Sequence, residues 1–289
     1  MNLKLLHIFL LSTAGTFLLC TPFINTVELA NGLVTGKMCW FHLAMLFFSV
    51  CVFFVMLTKK GTVIAFTFSD PLVLFFAGGV LITYKWNLNP EPEKLIFAGQ
   101  LVILWFLLRY VLTAYREFKF FFLFVLMFTG LIEAVWGMQQ LHGYSHSNHS
   151  LFRLTGSFFN PGPYSGYIAV ILPVCLWTAL RFQKGMHYFA WICVGAILIV
   201  LPAGMSRSAW MAAVVACGWV YWTERIGWKK TKAVYIRYKN ATIPFIVIVA
   251  ILAGCTVMEI YELKRDSADG RLLMWKVTTK AIAGQPLAG

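Results

Sequence analysis

Apolar runs about as long as a bilayer is thick recur along this chain, and nothing else limits its fold as strongly. Nine can be marked, at about residues 5–25, 39–57, 66–84, 95–114, 119–140, 164–181, 188–203, 208–223 and 241–258. A helix crosses the hydrocarbon layer with roughly 17 to 25 apolar residues, and several such runs in one chain leave no soluble core to build. The runs are continuous rather than alternating, which calls for helices and not a barrel. Only 12% of the residues are charged, 60% are hydrophobic and the mean hydropathy is +0.75, whereas soluble domains carry about a quarter charged residues. The expected fold is therefore all-α: a polytopic transmembrane helix bundle of about nine spans over residues 1–258, with residues 259–289 as the start of a polar outer loop. The first run follows Lys4 and mimics a signal peptide, but Leu19 stands before Cys20 where a lipoprotein signal wants a small residue. It reads as an uncleaved first span.

Basic residues orient the bundle. A cytoplasmic N-terminus puts Lys59, Lys60, Arg116, Lys119, Arg181, Lys184 and the run from Arg225 to Lys239 inside, and leaves the short outer loops Lys37, Lys85, Lys94, Arg153 and Arg207. Positive charge then sits inside at each crossing. The net charge of +13 punctuates apolar runs instead of clustering on a solvated face, so it marks topology and not nucleic-acid binding. The seven cysteines lie within or beside apolar runs without CxxC spacing, and read as small buried residues rather than a zinc site or disulfide framework. His142, His146 and His149 fall close together, but in a Gly-, Ser- and Asn-rich stretch read as a flexible loop, with no carboxylate or thiol to complete a metal site. No metal and no cofactor is expected.

Three outer arginines remain. Arg207 lies between two apolar runs with almost no loop to carry it, so it needs an anionic partner or must snorkel to the headgroups. Arg153 precedes Thr155-Gly156-Ser157, whose backbone and hydroxyl donors could gather around an anion. Arg271 opens the tail. Glu133, late in the fifth run, is costly there unless paired or wetted; it either counters Arg207 or Arg153 or accepts a proton from an attacking hydroxyl. In Asn160-Pro161-Gly162-Pro163 the prolines cannot continue a helix, and Asn160 either shapes that turn or hydrogen-bonds sugar hydroxyls.

Two stretches, RLTGSFFNPGPYSGYIAVILP from Arg153 to Pro173 and AGMSRSAWMAA from Ala203 to Ala213, followed by SADGRLLMWKVTTKAIAGQPLAG from Ser267 to Gly289, resemble the bacterial O-antigen ligase family. That family includes O-antigen polymerases and protein O-oligosaccharyltransferases. The resemblance runs from about Glu133 to the end of the chain. It implies a metal-independent inverting glycosyl transfer at the periplasmic face of the inner membrane, from a glycan on undecaprenyl pyrophosphate to a hydroxyl of lipid A-core, another glycan or a protein. By the resemblance, Arg207 in Met205-Ser206-Arg207-Ser208 and Arg271 in Asp269-Gly270-Arg271 are the catalytic arginines; Arg153, Ser206, Glu133 and Asn160 are read beside them as candidate substrate-binding residues. Met205 replaces the more usual small residue of that motif. The family's histidine has no counterpart, because Gln285-Pro286-Leu287-Ala288-Gly289 stops in what reads as a loop of an incomplete chain.

The chemistry suits such a role. A pyrophosphate leaving group gains charge as the glycosidic bond breaks, and guanidinium forks bind phosphate oxygens in pairs. Another class also fits outer arginines and an intramembrane carboxylate: a transporter of lipid-linked or anionic substrates. That class predicts repeated halves, and no internal repeat is visible.

Overall fold

In a computed structural model of the chain, residues 3–26, 31–59, 61, 67–86, 91–227 and 265–284 are described. Every regular element among them is helical. The helices are α1 (Leu3–Leu19), α2 (Gly32–Thr58), α3 (Ser69–Trp86), α4 (Pro92–Ala114), α5 (Arg116–Leu141), α6 (Pro161–Arg181), α7 (Gly185–Val200), α8 (Arg207–Tyr221) and α9 (Arg265–Gly284). The first eight fall on the first eight apolar runs, with ends shifted by a few residues. The ninth run, 241–258, lies outside the described residues.

Among the described residues, five segments are long and apolar enough to cross a membrane: Gly32–Thr58, Pro92–Ala114, Glu117–Leu141, Pro161–Arg181 and Gly185–Gly204. The last reaches that length only with the 3-10 turn Pro202–Gly204. α8 has 15 residues and runs on into a π-helical turn, Trp222–Ile226. The polar tail, expected as loop, contains α9.

The chain forms two units, Met1–Phe66 with Ile103–Arg225, and Thr67–Val102 with Ile226–Gly289. In the second, the buried Asp70 closes the start of α3 by accepting the Thr67 backbone N–H at 2.7 Å, a cap that also favours the helix's positive end. Along α9 the side chains from Leu272 to Gly284 are exposed.

The first unit is built around α5, which packs against α1, α6 and α7, while α6 also packs against α7 and α8. One core joins Leu11, Phe48, Val52, Val111 and Phe118, and another joins Met127, Tyr164, Ile168, Ile171, Cys193 and Ile197. Glycines let α5 and α6 close up: a Cβ on Gly130 would lie 2.8 Å from Ile171, and one on Gly137 would lie 2.2 Å from the Tyr164 hydroxyl. Small residues at the contact are how helices associate where water supplies no hydrophobic drive. The faces turned away from these cores stay apolar, as Leu43, Leu46, Val50, Phe53 and Leu57 of α2 show. Such a stripe would be a large exposed patch in water, and it is the surface a lipid-facing helix requires.

Successive packed helices of this unit alternate in direction. One end gathers Lys4 with Glu117 at 2.6 Å, Lys59 donating to the Ala114 carbonyl, and Arg181 with Glu224 at 3.7 Å. The opposite end gathers the start of α2, the end of α5, the start of α6 and the turn from α7 to α8. The expected outer arginines of this unit, Arg153 and Arg207, belong to that second end.

Candidate functional site

Glu133, Gly137 and Gln140 follow at i, i+4 and i+7 and share one face of α5. The 142–160 loop folds back over that face. Gln140 Oε1 accepts the backbone N–H groups of Thr155 at 2.9 Å and Gly156 at 2.7 Å, while its Nε2 donates to the carbonyls of His146 at 3.0 Å and Gly156 at 3.2 Å. Glu133 Oε2 accepts the Ser157 N–H at 3.1 Å. The Ser157 hydroxyl donates to the Pro22 carbonyl at 2.7 Å, and the Asn148 side chain donates to the carbonyls of Gly156 and Phe158. Only glycine fits at 156: its φ is +55°, and a Cβ would stand 2.3 Å from Glu133 Oε2. The stretch read as a flexible loop is therefore held throughout by hydrogen bonds. Within it, His149 Nδ1 accepts the Leu151 N–H at 3.0 Å.

This geometry corrects the anion-nest expectation for Thr155-Gly156-Ser157. All three backbone donors are spent on α5, two on an amide oxygen and one on a carboxylate, so the anion in the nest is the protein's own Glu133. That carboxylate is fully buried. It pairs with neither Arg153 nor Arg207 among the described residues. Across the Ser157 peptide it is joined to Lys37. Lys37 Nζ donates to the carbonyls of Ile24 at 2.9 Å and Ser157 at 3.0 Å, and stands 5.8 Å from the Phe158 ring centre.

The start of α6 connects this cluster to Arg207. Asn160 caps α6 by accepting the Gly162 N–H at 3.0 Å, which is the turn-shaping role. Pro161 does not stop the helix but begins it, since a first-turn residue has no intrahelical N–H bond to lose. From the first turn of α6, the Tyr164 hydroxyl donates to the Glu133 carbonyl at 3.2 Å and the Ser165 hydroxyl donates to the Gly204 carbonyl at 3.2 Å. Gly204 sits so close that a Cβ would lie 2.0 Å from Ser165 Oγ. Beyond it Met205 takes a left-handed conformation, φ 51°, a strained state for a residue with a long side chain.

Ser206 precedes α8 without making a side-chain cap bond, and its hydroxyl lies 3.3 Å from that of Ser208. Arg207 is the first residue of α8 and is half-buried. A cation there opposes the positive end of the helix dipole, and no carboxylate pairs with its guanidinium among the described residues. One turn on, Trp210 Nε1 donates to the Leu201 carbonyl at 2.8 Å. Trp210 also lines an apolar groove of about 470 Å³ between α6, α7 and α8, with Leu172, Trp191, Pro202, Val214 and Cys217. Arg153 is exposed in its loop. Arg271 lies in α9, and its side chain lies outside the described residues.

The structure thus brings Glu133 and Asn160 to one end of α5 and α6, and fastens the turn before Ser206 and Arg207 to the same first turn of α6. Sequence reading missed Lys37, Gln140, Tyr164 and Ser165. A signal for Gln140 was present, because a carboxylate and a carboxamide seven residues apart make a polar stripe on an otherwise apolar helix. Lys37 carried none beyond being a basic residue on the face where few are expected. Comparison with protein-family models, with curated proteins and with solved structures finds no match.

Proposed function

We propose that this chain belongs to a membrane glycan transferase, similar to O-antigen ligases, that moves a glycan from undecaprenyl pyrophosphate to an acceptor hydroxyl at the periplasmic face of the bacterial inner membrane. In this reading the N-terminus is cytoplasmic and the end bearing Arg153 and Arg207 faces the periplasm. The observation that carries it is Arg207: a half-buried cation without a carboxylate partner among the described residues, set at a helix N-terminus one turn from an apolar groove. A phosphate satisfies the guanidinium and the helix terminus together, and an isoprenoid chain suits a groove lined by leucine, tryptophan and valine. Motif order supports the same reading, and Arg271 enters on the motif alone.

The chemistry follows from charge. As the bond between sugar and diphosphate breaks, negative charge builds on the leaving oxygen, and a donor that binds it harder then than before lowers the barrier. A hydrogen bond to a charged group contributes about 1.5 to 3 kcal/mol, worth roughly ten- to a hundredfold in rate per arginine. Ligase, polymerase and protein-directed transfer share this step and differ in the acceptor.

A deletion strain tests the proposal through its envelope glycans. Uncapped lipid A-core, single-repeat products or unmodified protein would each support transfer and name the acceptor. An unchanged profile would refute it. Lipid-linked glycan trapped on the cytoplasmic side would instead indicate transport.

A further inference from the structure

We infer that Lys37 is a positioning residue, which acts through the Ser157 peptide on the buried Glu133 carboxylate to fix the loop from Arg153 to Asn160 and, through α6, the turn that carries Arg207. The inference rests on the proposed transfer for its functional half and on geometry for its structural half.

The Ser157 backbone is gripped from both sides. Its N–H donates to Glu133 Oε2 at 3.1 Å, and its carbonyl accepts from Lys37 Nζ at 3.0 Å. An anion on the donor side and a cation on the acceptor side both reinforce the dipoles they touch. Oε2 accepts the Ser157 N–H while the buried Oε1 has no hydrogen-bond partner, so the Ser157 peptide is the carboxyl group's link to Lys37. A buried carboxylate needs a countercharge, and Lys37 is the cation bridged to Glu133 by the Ser157 peptide. Lys37 also donates to the Ile24 carbonyl at 2.9 Å, while the Ser157 hydroxyl donates to the Pro22 carbonyl at 2.7 Å. The loop is thereby tied to the turn after α1 as well as to α5.

The grip passes onward along a continuous path. Glu133 accepts the Tyr164 hydroxyl at its own carbonyl, and the adjacent Ser165 holds Gly204, next but two to Arg207. Losing the ammonium would leave Glu133 uncompensated, expel the Ser157 peptide and loosen the first turn of α6. Neutralising the carboxylate as well would remove the reason for that expulsion, because a glutamine can still accept the Ser157 N–H.

The test is a double-mutant cycle on the full-length membrane protein, reading the thermal midpoint in detergent and glycan transfer in cells. Lys37→Met should lower the midpoint by about 10 °C and transfer at least tenfold, while Lys37→Arg keeps both near wild type. Glu133→Gln should cost less than Lys37→Met. The combined Lys37→Met and Glu133→Gln variant should be more stable than Lys37→Met alone and recover part of its transfer. Should Lys37→Met fail to accumulate, accumulation of the combined variant demonstrates the same coupling. Additive losses, a combined variant no better than Lys37→Met, or a Lys37→Arg variant as impaired as Lys37→Met would overturn the inference. If the stability coupling holds but wild type performs no transfer, the functional proposal fails and the structural clamp stands.

Discussion

At the scale of single residues, the end of the first unit that carries Arg153 and Arg207 depends on places where no other side chain fits. Gly156 combines a left-handed backbone with direct contact to Glu133 and Tyr164. Gly143, also left-handed at φ +81°, has nothing within 4 Å of a would-be Cβ. Gly143→Ala should therefore cost only the backbone term, about 1–2 kcal/mol, whereas Gly156→Ala adds an overpacking cost and should lose about 2–5 kcal/mol. Unfolding of the two variants in detergent measures the difference, and equal losses would show that the contact with Glu133 does not constrain residue 156. The sequence named Glu133 as a residue needing a partner, because a carboxylate in an apolar run is conspicuous. It pointed to arginines for that partner, since charge alone was visible. The actual arrangement depends on a loop that returns across 24 positions to present one backbone N–H, and no local pattern encodes that.

At the scale of elements, the helices themselves were largely legible. α1 to α8 coincide with apolar runs, and among the described residues five helical segments are long and apolar enough to cross a membrane, a signal of length and composition that needs no tertiary information. What the runs did not reveal was how helix ends are joined. Asn160-Pro161-Gly162-Pro163 resembles a turn and is a helix start, because proline is unwelcome inside a helix yet suited to its first turn. The contact between α6 and the turn from α7 to α8 was likewise invisible, since Ser165 and Gly204 look unremarkable alone. Gly204→Ala should push Ser165 Oγ aside and displace the turn before Arg207, with a loss of about 1–3 kcal/mol. Adding Ser165→Ala should restore most of that stability, as it removes the atom in the way. If the second substitution deepened the loss, the close approach of these two residues would not be what holds the turn.

At the scale of the whole molecule, the bias of basic residues and the alternation of packed helices agree on which ends of the first unit lie together. The end with Lys4, Lys59 and Arg181 is the expected cytoplasmic one. In intact cells, a membrane-impermeant thiol reagent should label Arg153→Cys and leave Gln183→Cys unlabelled, in a background where Cys39 is serine; the reverse pattern would invert the proposed topology. The proposed function rests in the sequence on three short motifs alone, because acceptor choice and catalysis depend on how distant segments meet. The central claim is that a cation at the start of α8 grips a lipid-linked diphosphate. Transfer by Arg207→Lys, alongside Arg271→Ala, tests it most directly, since lysine keeps the charge and loses the paired donors of the guanidinium. Each variant should insert and fold like wild type yet give no glycan product, and wild-type product levels from Arg207→Lys would contradict the account.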